Sequence, residues 1–434
     1  MESERFSQVR IALRNCGRNE PENIDHNIAG GGYDGLRKAL KMTPGEVIEE
    51  VGKSGLRERS GNGFPVAGKW RLCLDAAGGE KHVICNAAEG DPNSLIARAL
   101  LGEDPCSVIE GLFIGAYATG ATLGWICINA DYGLAINRVR TALNEMEGLG
   151  LLGNRILDSK FSFHVEIRET PANLACGDET FLVNAMEGGK TLPFVCSSRL
   201  PIYGLGGKPT LVHHVETWSH VSAILQKGAD WYANYGTEQC RGTKVFTLSG
   251  KVTRPGLIEV PMGTTLRQIV YDIGGGVPEG KDLKAVQIGG PTGGYLPASF
   301  LDLPADYEHL ADAGTLIGTG TILAIDSDAC VIDHVKRVLS FIQGESCGKC
   351  VFCREGTMQM AEILKDIAEG KGKTDDIELL IELGEGLKTG SQCDLGRAAA
   401  NPVLSMIRYF HEELEAHIKE RRCQEGVCGL LAPR

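Results

Sequence analysis

Four cysteines in the last quarter of the chain have the spacing of an iron–sulfur ligand set. Two residues separate Cys347 from Cys350 and Cys350 from Cys353, and Cys393 follows in a distant segment. A [4Fe-4S] cluster needs four thiolates, and two successive Cys-x2-Cys steps allow one short loop to reach three irons. Zinc also binds four thiolates, but its sites usually consist of two separated Cys-x2-Cys pairs. The pattern therefore predicts a cluster that carries electrons one at a time.

A second group of metal-binding side chains lies near the C-terminal end. His417, Cys423 and Cys428 place one imidazole and two thiols on a predicted helix end and the loop after it. Three ligands of a tetrahedral site could have this spacing, and zinc accepts both ligand types. The sequence does not identify a fourth ligand. Two interpretations therefore stay open: a zinc or partner-completed metal site, or an unliganded tail.

The composition describes a multidomain protein without marks of nucleic-acid binding or membrane insertion. With 434 residues, of which 43% are hydrophobic, the chain is long enough for two to four domains. A net charge of −12 disfavours nucleic acid, because phosphates bind to basic surfaces. The apolar runs are too short to span a bilayer, and no basic and apolar leader opens the sequence. We expect a soluble cytoplasmic protein whose 15 cysteines are reduced or bound to metal.

Apolar runs and helical patterns alternate in the first half of the chain. This order predicts right-handed crossovers and a largely parallel sheet. Ligands of such sheets bind beyond the carboxyl ends of the strands, which directs attention to residues 86–93 and 170–180. Three short runs are the predicted strands, and two longer patterns between them are the predicted helices: 82–86, 104–121, 124–128, 132–146 and 161–167.

Helical patterns flank this region, and a small β-rich module follows it. In the N-terminal helical arm, Thr43 and Glu46 predict a capping box. Two strands and a helix, the helix at 265–273, indicate a compact module of under a hundred residues. After Cys330 the pattern is helical, and the cluster cysteines lie in a break before a helix expected near residue 357.

These motifs together resemble the NADH-binding flavoprotein subunit of respiratory complex I and its relatives in soluble NAD-linked iron hydrogenases and formate dehydrogenases. The similarity covers nearly the whole chain. The cluster motif is the most specific part of it. Several shorter segments add to the resemblance: 30–40, 54–57, 63–65, 176–180, 207–209 and 215–217.

The resemblance implies a fold, cofactors and partners. An N-terminal helical arm (1–53) precedes an α/β Rossmann-like FMN domain (54–238), a ubiquitin-like SLBB-type α+β module (239–329) and a C-terminal helical bundle with the [4Fe-4S] cluster (330–434). NADH gives two electrons together as a hydride and the cluster accepts one, so FMN must stand between them. The implied partners are a thioredoxin-like [2Fe-2S] subunit and a larger iron–sulfur or catalytic subunit.

The same resemblance assigns site residues. Hydride transfer needs positioning rather than a nucleophile, and Glu179 takes the catalytic role by orienting NADH together with Asp91. Phe64 stacks on the nucleotide, and Gly177 allows the flavin to lie close to the backbone. Taken singly, the acidic residues could equally be helix caps or solvated loop charges. The full set implied for cofactor binding is Arg59, Gly61, Gly63, Phe64, Lys69, Asn86, Glu89, Asp91, Gly177, Asp178, Glu179, His213 and His214.

The flavin loop departs from the family pattern. Glu58 and Ser60 replace glycines, and a carboxylate beside a phosphate is repulsive. Ala88 replaces an aspartate that contacts the flavin ring, whereas His213 and His214 replace paired asparagines near the FMN phosphate. Three functions therefore stay open: a flavoprotein that transfers electrons between NADH and the cluster, a flavin-less relay or assembly scaffold, and a cluster-bearing sensor.

Overall fold

The computed structural model describes residues 9–18, 20–188 and 199–428. The predicted capping box is present, because Thr43 Oγ1 accepts from the Glu46 N–H at 3.3 Å and the Glu46 carboxylate accepts from the Thr43 N–H at 2.6 Å. Within those described ranges, no helix is both long and apolar enough to cross a membrane.

Three helices form the N-terminal part: α1 (Ile24–Ala29), α2 (Asp34–Ala39) and α3 (Pro44–Lys53).

The α/β region follows, and its predicted parallel sheet is confirmed. The third strand begins three residues later than the predicted run at 161–167, and a fourth strand was not predicted. In chain order the elements are α4 (Val66–Asp75), β1 (His82–Ala87), α5 (Ile96–Glu103), α6 (Pro105–Thr119), β2 (Leu123–Asn129), α7 (Gly133–Gly148), β3 (His164–Thr170), α8 (Glu179–Met186), β4 (Thr210–His214), α9 (Val215–Lys227) and α10 (Ala229–Ala233).

The four strands are arranged in the order β3-β2-β1-β4, and all three pairs are parallel. β1 is buried along its whole length, in agreement with the apolar residues at its centre, Val83, Ile84 and Cys85. From β1 the chain moves outward through β2 to β3 and then returns to the opposite side of β1 as β4. The order in which successive strands are added to the sheet therefore reverses between β1 and β4, although all the strands are parallel. In open α/β sheets, ligands bind at the carboxyl ends of the strands at such a switch point.

Close packing of α6 against α9 positions the end of β4. All but one residue of α6 is buried, in agreement with its mostly apolar sequence, in which Glu110 is the one charged residue. A Cβ at Gly111 would lie 1.9 Å from the Trp218 carbonyl oxygen, so only glycine permits this approach of the two helices. Because α9 directly follows β4, this contact also positions the first turn of α9.

A five-stranded mixed sheet forms the next module, with the strand order β6-β5-β9-β7-β8. The helix predicted at 265–273 is a π-helical turn, Gln268–Ile273. The Tyr307 hydroxyl donates to the Glu58 carbonyl and so attaches this module to the flavin loop. The elements are β5 (Thr243–Gly250), β6 (Gly256–Pro261), β7 (Leu283–Ile288), β8 (Gly294–Pro297), α11 (Tyr307–Asp312) and β9 (Thr321–Asp326).

The remaining described residues form a helical bundle, as predicted. The helix expected near residue 357 begins earlier, at Val351, because Cys350 is its N-cap and the Arg354 N–H donates to the Cys350 carbonyl at 3.0 Å. Cys353 therefore belongs to its first turn. The helices are α12 (Val331–Glu345), α13 (Val351–Ala368), α14 (Asp376–Gly390), α15 (Asp394–Ala398), α16 (Asn401–Tyr409) and α17 (His411–Lys419).

Candidate functional site

The flavin loop lies at the switch point between β1 and β4. In this pair of strands Asn86 is opposite His214, so the carboxyl ends of both strands lie side by side. The loop that precedes α4 crosses these ends, and its Glu58 side chain reaches both β4 and α9. Residues from three separate parts of the sequence thus form one site where the topology predicts ligand binding.

Glu58 is the central anion of this site. Its carboxylate accepts hydrogen bonds from the His214 N–H at 2.9 Å and from the Thr217 hydroxyl at 2.6 Å, both at the N-terminus of α9. It also bonds to the His213 ring. Although burial opposes ionisation, hydrogen bonds from His213 and Thr217 and the nearby Lys69 charge lower the pKa of Glu58 below its usual value. An ionised carboxylate therefore lies at the positive end of a helix.

The protonation of His213 follows from its two ring contacts. Its Nε2 lies 2.9 Å from the Trp70 indole nitrogen, which can only donate, so Nε2 carries no proton. Nδ1 therefore carries the proton and donates to Glu58. Burial lowers the pKa of His213, in agreement with a neutral ring. The negative charge of Glu58 is consequently balanced by the Lys69 ammonium rather than by an imidazolium.

Lys69 connects this network to the start of α8. Its ammonium donates to the Glu179 carboxylate and to the Val212 carbonyl, the latter at 3.0 Å. Burial raises the pKa of Glu179, and the Lys69 charge opposes that rise. Glu179, to which the resemblance assigns the catalytic role, therefore belongs to the same buried network as the flavin loop.

Three of the predicted cofactor-binding residues, Gly61, Gly177 and Phe64, are open to the surroundings. Within the described part of the chain, no atom lies within 4 Å of a Cβ built on Gly61 or Gly177. Phe64 is 54% exposed, so its ring is available for stacking. Gly63 differs, because a Cβ there would lie 2.5 Å from the Tyr307 ring. Both glycines are exposed, so the backbone at these positions is accessible to a flat ring.

Four further predicted residues contact other parts of the protein, and their role in cofactor binding stays a prediction. Asp91 connects the strand ends to the module that follows. The contacts are Arg59 Nη2 to the Tyr232 hydroxyl at 2.6 Å, Asn86 Nδ2 to the Cys176 carbonyl at 2.9 Å, the Tyr132 hydroxyl to Glu89 at 2.9 Å, and the Thr319 and Thr321 hydroxyls to Asp91 at 2.6 and 2.7 Å.

The four predicted cluster cysteines lie together where two helices begin. Cys350 and Cys393 are the N-caps of α13 and α15, Cys353 is in the first turn of α13, and Cys347 is in the loop before it. Cys353 interacts electrostatically with Cys350 and Cys347, and Cys393 interacts with Cys353 and Cys347. Burial raises the pKa of Cys393 to about 12, against a hydrogen bond from Gly396.

The turn that precedes α8 joins the flavin site to the cluster loops. One Asp178 oxygen caps α8, and the other accepts from the Asp394 N–H at 3.2 Å, directly after Cys393. The Leu174 N–H donates to the carboxylate of Glu345, the last residue of α12, at 2.6 Å. The segment that ends in Glu179 therefore contacts both loops that carry the cluster cysteines.

The second group of metal-binding residues has a fourth member, Cys330, which sequence reasoning missed. Cys330, His417, Cys423 and Cys428 are all buried, and their ligand atoms lie within 4.8 Å of one another. Cys330 Sγ is 3.5 Å from Cys428 Sγ and 3.4 Å from His417 Nε2. Zinc bonds of about 2.0–2.3 Å in a tetrahedron imply ligand separations of about 3.5–3.8 Å. The arrangement has the size of a zinc site.

The orientation of His417 also suits a metal ligand. Its Nδ1 donates to the Glu413 carbonyl at 2.8 Å, so Nε2 is the unprotonated nitrogen that faces the thiols. Lys284 forms ion pairs with Glu413, at 2.9 Å, and with Glu425, and so offsets the acidic charge around the thiols.

Three family models match successive parts of the chain. The Nuo51 FMN-binding domain matches residues 51–223, the SLBB domain matches residues 245–295, and the NADH-ubiquinone oxidoreductase-F iron-sulfur binding region matches residues 333–417. The last match contains all four cluster cysteines. Three members of the second metal-binding group, Cys330, Cys423 and Cys428, lie outside it.

Whole-chain relatives agree with these matches. The chain is 45% identical to the NADP-reducing hydrogenase subunit HndC of Solidesulfovibrio fructosivorans over 98% of this chain and 86% of that protein. It is 38% identical to an NADH-quinone oxidoreductase subunit of Rhizobium meliloti, over 95% of this chain and 98% of the relative. The chain belongs to the NADH-ubiquinone oxidoreductase-F family. The fold agrees with that of an NAD+-reducing [NiFe]-hydrogenase in the H2-reduced state, with a TM-score of 0.82 and 29% identity over 95% of this chain and 67% of the other.

The residues of this chain suit both cofactors of the oxidoreductase-F family, with one exception. Open space at Gly61 and Gly177 suits a flavin ring, and the α9 N-terminus with Lys69 suits an anion. Four thiols at two helix N-termini suit an anionic [4Fe-4S] cluster. The exception is Glu58, which already places a negative charge at the α9 N-terminus.

Proposed function

We propose that this chain is the electron-input or electron-output subunit of a multisubunit redox complex, in which it oxidises NADH, or reduces NAD+, through FMN to its [4Fe-4S] cluster. The observation that carries the proposal is the turn before α8. On one side, Glu179 at the end of this turn accepts from Lys69. On the other side, Asp178 accepts from the N–H of Asp394, the residue after Cys393. A short route for electrons between the two cofactor sites follows from this shared segment.

The residues of the chain serve this reaction by positioning. FMN, when bound, accepts the electron pair of the hydride and passes the electrons on singly. Lys69 orients the Glu179 carboxylate, and the exposed Phe64 ring offers a stacking surface for the nicotinamide nucleotide. Open space at Gly177 permits close approach of the flavin to the backbone. Alignment within about 3–3.5 Å is the main contribution that a protein makes to hydride transfer.

Partner subunits follow from electron counting. A [4Fe-4S] cluster would accept one electron at a time, so a two-electron hydride donor requires further one-electron centres beyond it. We expect the next centres in a thioredoxin-like [2Fe-2S] subunit and in a larger iron–sulfur or catalytic subunit. Val351 and Phe352, beside Cys350, are 60% and 52% exposed, which supports electron exit on this face.

Anaerobic spectroscopy of the purified complex tests the proposal. FMN released on denaturation, a dithionite-reduced [4Fe-4S] EPR signal and bleaching of flavin absorbance by NADH are expected together, and NADPH in parallel defines the preferred nucleotide. Cys350→Ser removes a cluster ligand, whereas Cys16→Ser, a half-buried cysteine of the N-terminal part, serves as the matched control. A cluster without flavin would support the relay or scaffold. A cluster that NADH does not reduce, in a chain without redox partners, would support the sensor.

We also propose that Cys330, His417, Cys423 and Cys428 bind one zinc ion with a structural role. Four protein ligands leave no open position for substrate, which is typical of structural zinc. The site would join the start of α12 to the segment after α17. Elemental analysis should give about one zinc per four irons. Cys330→Ser should lose the zinc and keep the iron, whereas Cys240→Ser, a buried cysteine elsewhere, should keep both metals. Zinc retained in Cys330→Ser would contradict this assignment.

A further inference from the structure

The N-terminus of α9 is built to hold an anion. Helix N-termini have free N–H groups and a positive dipole end, and phosphates bind there in many α/β proteins. Here the helix is 13 residues long and directly follows β4 at the switch point of the sheet. The His214 N–H and the Thr217 hydroxyl are the donors, and Lys69 supplies a positive charge nearby. The phosphate of a flavin nucleotide has the charge and hydrogen-bonding capacity that this position favours.

The chain's own carboxylate already fills this position. Glu58 accepts from His214, Thr217 and His213, and its backbone carbonyl is also held, by the Tyr307 hydroxyl. The residue is only 6% exposed. The His213 ring has no further hydrogen bond to offer, because its single proton is donated to Glu58 and its other nitrogen accepts from Trp70. A phosphate would therefore meet a negative charge and donors that are already in use.

We propose that Glu58 is an internal competitor for the flavin phosphate, and thus a residue that determines which flavin the site accepts. The proposal rests on the proposed function, since it assumes that the site receives a flavin. With Glu58 in place, the phosphate gains no net stabilisation at α9, and FMN has little advantage over riboflavin. Removal of the carboxylate frees three donors, on His213, His214 and Thr217, and removes a negative charge near Lys69.

Equilibrium binding of FMN and riboflavin to the full chain tests this proposal. The flavin is removed first, the cluster is retained, and quenching of flavin fluorescence is measured at pH 7.5. Glu58→Gly vacates the position, and Glu58→Gln keeps the side-chain volume but removes the charge. Glu308→Gln is the matched control, because that carboxylate bonds Arg57 and Cys240 and does not contact α9. Circular dichroism and the cluster EPR signal report whether each variant is folded.

A phosphate-specific gain is the expected result. The Kd of FMN should fall by at least about ten-fold in Glu58→Gly, and by less in Glu58→Gln, whereas the Kd of riboflavin should change by less than about two-fold. Inorganic phosphate should compete with FMN more strongly in Glu58→Gly than in the wild type.

Three results would overturn the proposal: an unchanged Kd for FMN, an equal gain for riboflavin, and no flavin binding by any folded variant. Failure of the proposed function looks different. In that case the wild-type complex holds no flavin and NADH bleaches nothing, while Glu58→Gly still gains a phosphate-specific affinity for FMN.

Discussion

Removal of the Lys69 ammonium should strongly destabilise the α/β domain. Lys69 is buried, donates to Glu179 and lies close enough to Glu58 to lower the pKa of that carboxyl. In Lys69→Met the carbon chain still fills the space, but the buried Glu58 and the partly buried Glu179 lose the cation they share. Loss of one partner from a buried ion pair costs about 3–5 kcal/mol. We expect a decrease of this size in the free energy of unfolding at pH 8.

The loss should depend on pH in a defined direction. Burial already raises the pKa of Glu179 in the folded state, so its contribution favours folding at low pH and is lost as the pH rises through the folded pKa. Without Lys69 this pKa rises further, because the opposing charge is gone. A larger fraction of Glu179 is then neutral at pH 5 than at pH 8, so the destabilisation by Lys69→Met should be smaller at pH 5 than at pH 8.

Urea denaturation followed by tryptophan fluorescence measures the change in the free energy of unfolding close to the Lys69 network. Trp70 and Trp218 lie 6.4 and 5.0 Å from the His213 ring centre, so their emission reports the integrity of the switch-point network. Lys38→Met is the matched control, because its contact with Glu50 is 3.7 Å and partly exposed, and should cost less than about 1 kcal/mol. Lys69→Met with Glu179→Gln should recover part of the loss. Equal losses in Lys69→Met and Lys38→Met, or no recovery in the double variant, would refute this reasoning.

Three further outcomes follow from individual side chains. Burial raises the pKa of Glu110 to about 7 from 4.5, so its favourable contribution is complete below about pH 4.5 and lost as the pH rises through 7. Glu110→Gln should therefore raise the free energy of unfolding at pH 8 by up to about 3 kcal/mol and hardly change it at pH 4. Urea titrations at both pH values measure this difference, and an equal effect of the substitution at pH 4 and pH 8 would contradict the prediction. Cys393→Ser should lose the [4Fe-4S] EPR signal and its iron while FMN remains, since Cys393 is outside the switch point; unchanged iron would exclude it as a ligand. Gly177→Val should weaken FMN binding by at least about ten-fold and change stability by less than about 0.5 kcal/mol, because its side chain enters open space; a large loss of stability in urea would show that the space is needed for folding.

The grouping of the four cysteines was predictable from sequence because three of them lie within seven residues. One short loop determines their spacing, and the types of side chain determine the chemistry. The capping box at Thr43 is local in the same way. The start of α13 was predicted too late, since a cysteine-rich turn has no helical apolar pattern, although Cys350 and the following residues begin the helix.

Long-range partners could not be predicted in this way. Cys330 lies 87 residues from His417, and only the packing of α12 against α17 brings them together. Glu58 and His213 are 155 residues apart, and singly each looked like a departure from the family pattern. In the folded chain they are hydrogen-bonded to each other. β4 was missed because it has five residues and ends in two histidines, so its apolar run is very short.

Charge is balanced where the turn before α8 meets the cluster loops. A cluster with four thiolate ligands is anionic, and Cys350 and Cys393 lie at the positive N-terminal ends of α13 and α15, where the Gly396 N–H donates to Cys393. Two carboxylates also lie at this boundary, those of Asp178 and Glu345, and each accepts a backbone N–H from the opposite side. These acids therefore connect the turn before α8 to the cluster loops while their charge is partly offset. Because each of these two hydrogen bonds joins a carboxylate to a backbone N–H, they hold the turn against the cluster loops at both of its ends.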